Sequence, residues 1–329
     1  MLTKGSVSLV ILPFALIGCS VNASAITETA VSTPSTIARH SATADPTLRY
    51  PTVTPTAPQP TTTPTSTSSP LTPLPPQVKG FIGVSYSLES KQTIGNYVVR
   101  IWSIPTPTVE FVGKAITVQS LTGMGAGQPI LEIDSILEIN PLTGHDLTGD
   151  GFPDIAVTVA TGGANCCFSV VAYNLGLEPT KILSSPYSEF SGTFQDLNRD
   201  GIFEFITSDD PLRSFCAYPT ALAVKVIYQY QNGTYQPASP KFAPYYAEDI
   251  AKHTRVATDA KPSDGDWDGT TKCSVLPLVL DFLYSGQTDE AWEALRLYYT
   301  YPDLENLKLD IEWLIRKSPK YVSPPPDMP

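Results

Sequence analysis

Two nine-residue stretches, Asp146-Leu-Thr-Gly-Asp-Gly-Phe-Pro-Asp154 and Asp196-Leu-Asn-Arg-Asp-Gly-Ile-Phe-Glu204, decide how this chain is read. Each puts an oxygen-bearing side chain at loop positions one, three, five and nine, and glycine at position six. A tight turn aims alternate side chains inward, and glycine takes the sharp backbone angle. The carbonyl of the seventh residue adds another oxygen for a hard cation that takes roughly six to eight of them. The expected Ca2+ ligands are Asp146, Thr148, Asp150, the Phe152 carbonyl and Asp154 in the first loop. In the second they are Asp196, Asn198, Asp200, the Ile202 carbonyl and Glu204.

Loop position twelve separates these stretches from calcium loops flanked by helices. An EF-hand requires a bidentate glutamate there, and a dockerin loop likewise an acidic residue, but here the position holds Val157 and Thr207. Both loops run into β-rich segments, Ile155-Ala-Val-Thr-Val159 and Phe203-Glu-Phe-Ile-Thr207, so they are expected to connect strands. A third stretch, Asp264-Gly-Asp-Trp-Asp-Gly-Thr-Thr-Lys272, keeps Asp264, Asp266, Asp268 and Gly269 in register. Its position nine is Lys272, a cation where a carboxylate is needed, and no strand-like run follows. It reads as a solvated acidic loop, which leaves two expected calcium sites.

A calcium loop between strands resembles the FG-GAP or VCBS-like repeat, in which an Asp-rich loop sits within a β-propeller blade, as in the integrin α-chain. The resemblance rests on the two loops and their following strands, which start 50 residues apart, at Asp146 and Asp196. Thr161-Gly-Gly-Ala-Asn-Cys-Cys-Phe168 is also similar to a signature that follows the first loop in VCBS-like proteins, often with histidine where this chain has Asn165. A closed propeller needs more than two such repeats. The resemblance therefore implies a partial or degenerate propeller-like domain, with a compact β-domain carrying two such loops as the alternative.

Outward from the loops, short runs rich in Val, Ile, Tyr and Phe predict strands over Phe81–Tyr86, Tyr97–Ile104, Ala115–Val118 and Ile130–Leu137. Further strands are predicted over Ile155–Ala160, Phe168–Tyr173, Phe203–Thr207, Val224–Tyr230 and Tyr235–Pro237. Asn232-Gly233 marks a hairpin turn between the last two. Toward the C-terminus the period becomes helical, with Leu304, Leu307, Ile311, Leu314 and Ile315 on one face, and Ala291, Trp292, Leu295 and Tyr299 on another. Val275–Leu283 predicts a short helix. The expected class is mainly β with C-terminal helices from about residue 274, in one domain over 78–322.

The N-terminal part has a different composition. Lys4 precedes an apolar run from Val7 to Ile17, too short to span a bilayer, which reads as an export signal over 1–18. Leu16-Ile17-Gly18-Cys19 resembles the bacterial lipobox, which implies cleavage before Cys19 and lipidation of its thiol, on the extracytoplasmic face of the cell envelope. Residues 19–77 are rich in Thr, Pro, Ser and Ala, a composition with too little apolar surface to fold, and hold many of the 32 prolines. They read as a disordered tether, and the proline-rich tail 323–329 as frayed. Beyond residue 77, 18 Lys and Arg face 30 Asp and Glu, a balance of −12. Such a field repels polyanions and excludes nucleic acid as a partner, leaving the lipid anchor as the route to the membrane.

Four cysteines remain after Cys19: Cys166, Cys167, Cys216 and Cys273. An even number in an exported protein predicts two disulfides. Adjacent cysteines join only in a strained ring, so Cys166 and Cys167 are each expected to bridge to one of Cys216 and Cys273; the alternative is a vicinal Cys166–Cys167 disulfide acting as a redox or ligand-sensing element. His145 reads as a turn residue and His253 as a surface residue of a helix. Thr122-Gly-Met-Gly-Ala-Gly127 lacks the lysine and following helix of a phosphate loop. No catalytic residue is assigned. The expected function is a calcium-binding, membrane-anchored binding or adhesion module for an extracellular protein or carbohydrate. The alternatives are a hydrolase using an acidic pair and a purely structural envelope lipoprotein.

Overall fold

The computed structural model describes residues 75–76, 85–104, 113–122, 129–160, 168–188, 190–216, 222–260 and 269–323. Seven strands form one sheet: β1 (Ser87–Ile94), β2 (Tyr97–Ser103), β3 (Lys114–Ser120), β4 (Pro129–Ile139), β5 (Asp154–Ala160), β6 (Phe168–Leu175) and β7 (Pro179–Ser184). Four more form a second: β8 (Thr193–Gln195), β9 (Glu204–Asp209), β10 (Val224–Gln231) and β11 (Thr234–Pro237). All neighbours are antiparallel and consecutive in sequence, so both sheets are meanders. Helices α1 (Ala247–Asp259), α2 (Gly269–Tyr284), α3 (Thr288–Tyr298) and α4 (Leu304–Ile315) follow. This is the mainly β chain with C-terminal helices that the sequence patterns predict.

The two Asp-rich loops occupy equivalent places in the topology. Strands β4–β7 and β8–β11 are each a four-stranded meander, and each carries its Asp-rich loop between its first and second strands. Neither sheet closes on itself, since each ends in edge strands, β1 and β7 in one, β8 and β11 in the other.

Packing follows the two-residue period of the strands. On β5, Ile155 and Val157 enter a core with Val99, Ile116, Val118 and Ile136, while Ala156 faces the opposite core. That second core joins Phe205, Val226, Ile227 and Tyr235 of the smaller sheet to Val275, Val279 and Leu283 of α2 and Leu307 and Ile311 of α4. Helix α2 is apolar nearly all round because it is covered by neighbours, the pattern of a core helix. At the β10–β11 turn, Asn232 and Gly233 have φ of 52° and 84°, as the predicted hairpin requires.

The disulfide reading needs correction. Cys216 bonds to Cys273, with their Cα atoms 5.8 Å apart, so neither bridges to Cys166 or Cys167. Cys216 follows the 3-10 turn Arg213–Phe215 after β9, and the first turn of α2 packs beside that turn, bringing Cys273 to it. The link closes a separation of 57 residues. In the chain-entropy account, a loop of that size stabilises by about 4 kcal/mol. No helix among the described residues is long and apolar enough to cross a membrane.

Candidate metal centre

The first loop turns through Gly149 and Gly151, with φ of 74° and 87°. Asp146, at position one, is its hub: Oδ1 accepts hydrogen bonds from the backbone N–H groups of Thr148 (3.1 Å), Gly149 (2.7 Å) and Asp150 (3.3 Å), and Oδ2 from Gly151 (2.7 Å). Asp150 Oδ1 accepts from Phe152 N–H at 2.9 Å. Asp154 begins β5 and is fully buried; its Oδ2 accepts from Leu147 N–H at 2.7 Å. A partner from outside completes the loop. Asn174 of β6 lies opposite Asp154 in the sheet, and its Nδ2 donates to Asp154 Oδ1 at 2.9 Å and to Asp150 Oδ2 at 3.0 Å.

The second loop repeats this frame. Asp196 Oδ1 accepts from Asp200 N–H and Oδ2 from Gly201 N–H, both at 3.1 Å. Asp200 Oδ1 accepts from Ile202 N–H at 2.8 Å, and Asn198 Nδ2 donates to Asp200 Oδ2 at 2.8 Å. Glu204, at position nine, is fully buried at the start of β9, and its Oε2 accepts from Leu197 N–H at 2.9 Å. Its other oxygen, Oε1, is buried with no hydrogen-bond partner among the described residues. Buried polar atoms are nearly always paired, and leaving one unpaired costs about 1–3 kcal/mol.

Electrostatics agrees with a donor set lacking a counter-charge. Burial pushes the Asp154 carboxyl up to about 6, against the Leu147 N–H and Asn174 hydrogen bonds, with Asp150 and Asp146 adding to the rise. Burial also pushes Glu204 up, and Asp200 and Asp196 add to it. Among the described residues, no group of three or more His, Cys, Asp and Glu side chains converges as a ready metal cage. The loops instead offer a mixed oxygen set of carboxylates, Thr148, Asn198 and the carbonyls of Phe152 and Ile202. The orphaned Glu204 Oε1 makes the second loop the better fit to a hard cation.

The loops are also in contact. Phe203 N–H, at position eight of the second, donates to Leu147 O of the first at 2.9 Å. The Tyr235 hydroxyl of β11 donates to Leu147 O at 3.3 Å and to Phe203 O at 3.0 Å, tying both loops to the smaller sheet.

All ten predicted ligand positions are thus brought into two loops of matching frame, and Asn174 is the neighbour that sequence spacing missed. Only the strand register, which places it across from Asp154, reveals it. Lys272, read as misplaced at position nine of the third stretch, is in α2, so no strand follows there. Asp264, Asp266 and Asp268, Cys166 and Cys167, Cys19 with residues 1–74, and the tail 324–329 lie outside the described residues. His145 is an exposed turn residue. His253 departs from the surface role expected of it: on α1, its Nδ1 lies 2.6 Å from Oδ2 of the buried Asp281 on α2. Burial raises the Asp281 carboxyl, and the His253 hydrogen bond opposes that rise.

No protein-family profile and no curated protein matches the chain. Among solved structures it is similar to the β-propeller domain of the Trilobed protease from Pyrococcus furiosus, described as an open velcro topology. The match has 14% identity and a TM-score of 0.26, and covers 47% of this chain and 42% of that one. The chain thus spans less than half of that structure.

Proposed function

We propose that this protein is a calcium-binding module, lipid-anchored through Cys19 on the outer side of a bacterial membrane, that binds an extracellular protein or carbohydrate. The observation that carries the calcium part is Glu204 Oε1, a buried and unpartnered carboxylate oxygen at position nine of a loop whose other positions also present oxygen. Asp196, Asn198, Asp200, the Ile202 carbonyl and Glu204 would hold one ion, and Asp146, Thr148, Asp150, the Phe152 carbonyl and Asp154 a second. The ion supplies charge compensation and fixes the strand-to-strand turns; the chain supplies the rigid surface around them. The acidic balance of the folded part favours cations over polyanionic partners.

Thermal melting with calcium and with a chelator, disulfides intact, tests this reading. A ligand bound only by the native state at a hundredfold excess over Kd adds about 2.7 kcal/mol. For a domain of this size that raises Tm by roughly 5–10 °C. An unchanged Tm overturns the calcium reading.

A further inference from the structure

The two loops share a residue pattern but differ in how their position-nine carboxylates are satisfied, and one side chain makes the difference. In the first loop a single amide nitrogen, Asn174 Nδ2, donates to both Asp150 Oδ2 (3.0 Å) and Asp154 Oδ1 (2.9 Å). Asn174 and Asp154 are both buried, so the bond between them forms where water competes little, while Asp150 lies at the exposed side of the loop. One amide nitrogen thus bridges the carboxylates of positions five and nine.

Among the described residues the second loop has no counterpart. Across the smaller sheet, β10 pairs Tyr228 with Phe205, and the following residue, Gln229, uses its Oε1 to accept from Lys241 Nζ at 3.0 Å. Glu204 Oε1 is left without a donor. The nearest similar contact, Asn198 Nδ2 to Asp200 Oδ2, lies within the loop and is solvent-exposed, where water readily replaces it.

We infer that the second loop is the tight divalent-cation site and the first a weak one, with Asn174 as the positioning residue that sets the order by bridging two of the first loop's carboxylates. The inference rests on the calcium reading proposed above. A cation entering the second loop gains the Glu204 oxygen without displacing anything from it. A cation entering the first must displace two hydrogen bonds to carboxylates. The sequence pattern alone favours the opposite order, since the first loop has a third aspartate at position nine and no arginine at position four.

Calorimetric titration of the whole chain with calcium chloride tests this, using the parent, Glu204→Gln and Asn174→Ala. The parent should show two events at least about tenfold apart in Kd, a factor that corresponds to 1.4 kcal/mol. Glu204→Gln should remove the tighter event. Asn174→Ala should tighten the weaker event by roughly tenfold and leave the other unchanged. Should Asn174→Ala fail to fold without calcium, Asn174→Ser, which keeps one donor, should tighten the weaker event by a smaller factor. Two equal events overturn the inference while leaving the calcium reading standing. So does loss of the weaker event in Glu204→Gln, or a weaker event made weaker by Asn174→Ala, which would make Asn174 a ligand. No heat in any variant, with no melting shift in the parent, overturns the calcium reading itself.

Discussion

Arg199 sits at loop position four with φ of 63°, where its counterpart in the first loop is Gly149 at 74°. A side chain in this left-handed region costs about 1–2 kcal/mol, part of which glycine returns through its greater freedom in the unfolded chain. Arg199→Gly should therefore stabilise the calcium-free protein by about 0.5–1 kcal/mol, raising Tm by a few degrees. It should also tighten calcium binding at the second loop by removing a guanidinium from its rim. Melting with and without calcium reads both effects, and a lowered Tm in chelator contradicts the strain assignment. Lys320 presents a different single-residue problem. Its ammonium is buried, and Nζ donates to Tyr187 O (3.1 Å) and Ser208 O (2.8 Å). Burial lowers its pKa from the usual lysine value, with Asp209 and Asp210 partly opposing. Between the native and unfolded pKa values the unfolded chain holds more protons, so stability from this group rises with pH there. The urea stability of the parent relative to Lys320→Met should rise as pH climbs toward the lysine range and level off above it. A flat difference shows that the buried amine carries no such penalty.

At the level of elements, the two loops are built alike and covered differently. In each loop the position-two N–H donates to the position-nine carboxylate: Leu147 to Asp154, Leu197 to Glu204. The position-two carbonyl of the first loop is covered by Phe203 N–H of the second. The corresponding carbonyl of the second loop, Leu197 O, accepts from the Tyr245 hydroxyl, in the 3-10 segment Ser239–Tyr246 that leads into α1. A helical segment thus covers the second loop's carbonyl where a loop covers the first's. Tyr235 holds the loop stack together. Tyr235→Phe deletes its hydrogen bonds to Leu147 O and Phe203 O, and should cost about 1–2 kcal/mol. The urea midpoint should fall with the slope unchanged; an unchanged midpoint means the hydroxyl does not couple the loops. Much of this was legible in the chain. The loops show themselves by oxygen spacing and glycine, the β10–β11 turn by Asn232-Gly233, and the helices by apolar stripes. Strand β1, Ser-Leu-Glu-Ser-Lys-Gln-Thr-Ile, was not legible because only Ile94 is buried, so an edge strand leaves no alternation to read. The three-residue β8 is too short for a pattern. Asn174, the Cys216–Cys273 bond and the His253–Asp281 pair depend on register or on where helices return, which local periodicity does not encode.

For the whole molecule, the acidic balance and the proposed anchor act in opposite directions at a membrane. The part beyond residue 77 carries −12, and two bound divalent ions would bring it to about −8, still a field that repels anionic lipid. Electrostatics therefore does not hold this domain at a bilayer, and in the proposed reading attachment falls to a lipid on Cys19. Expressed in a bacterial host with an envelope, the parent should sediment with membranes, resist a high-salt wash and be released by detergent. Cys19→Ala should appear in the soluble extracytoplasmic fraction with the calcium-dependent Tm of its folded part unchanged. Release of the parent by salt alone would show that charge, and not a lipid, holds it. Equal fractionation of parent and Cys19→Ala would remove the anchor from the proposal and leave the calcium module intact.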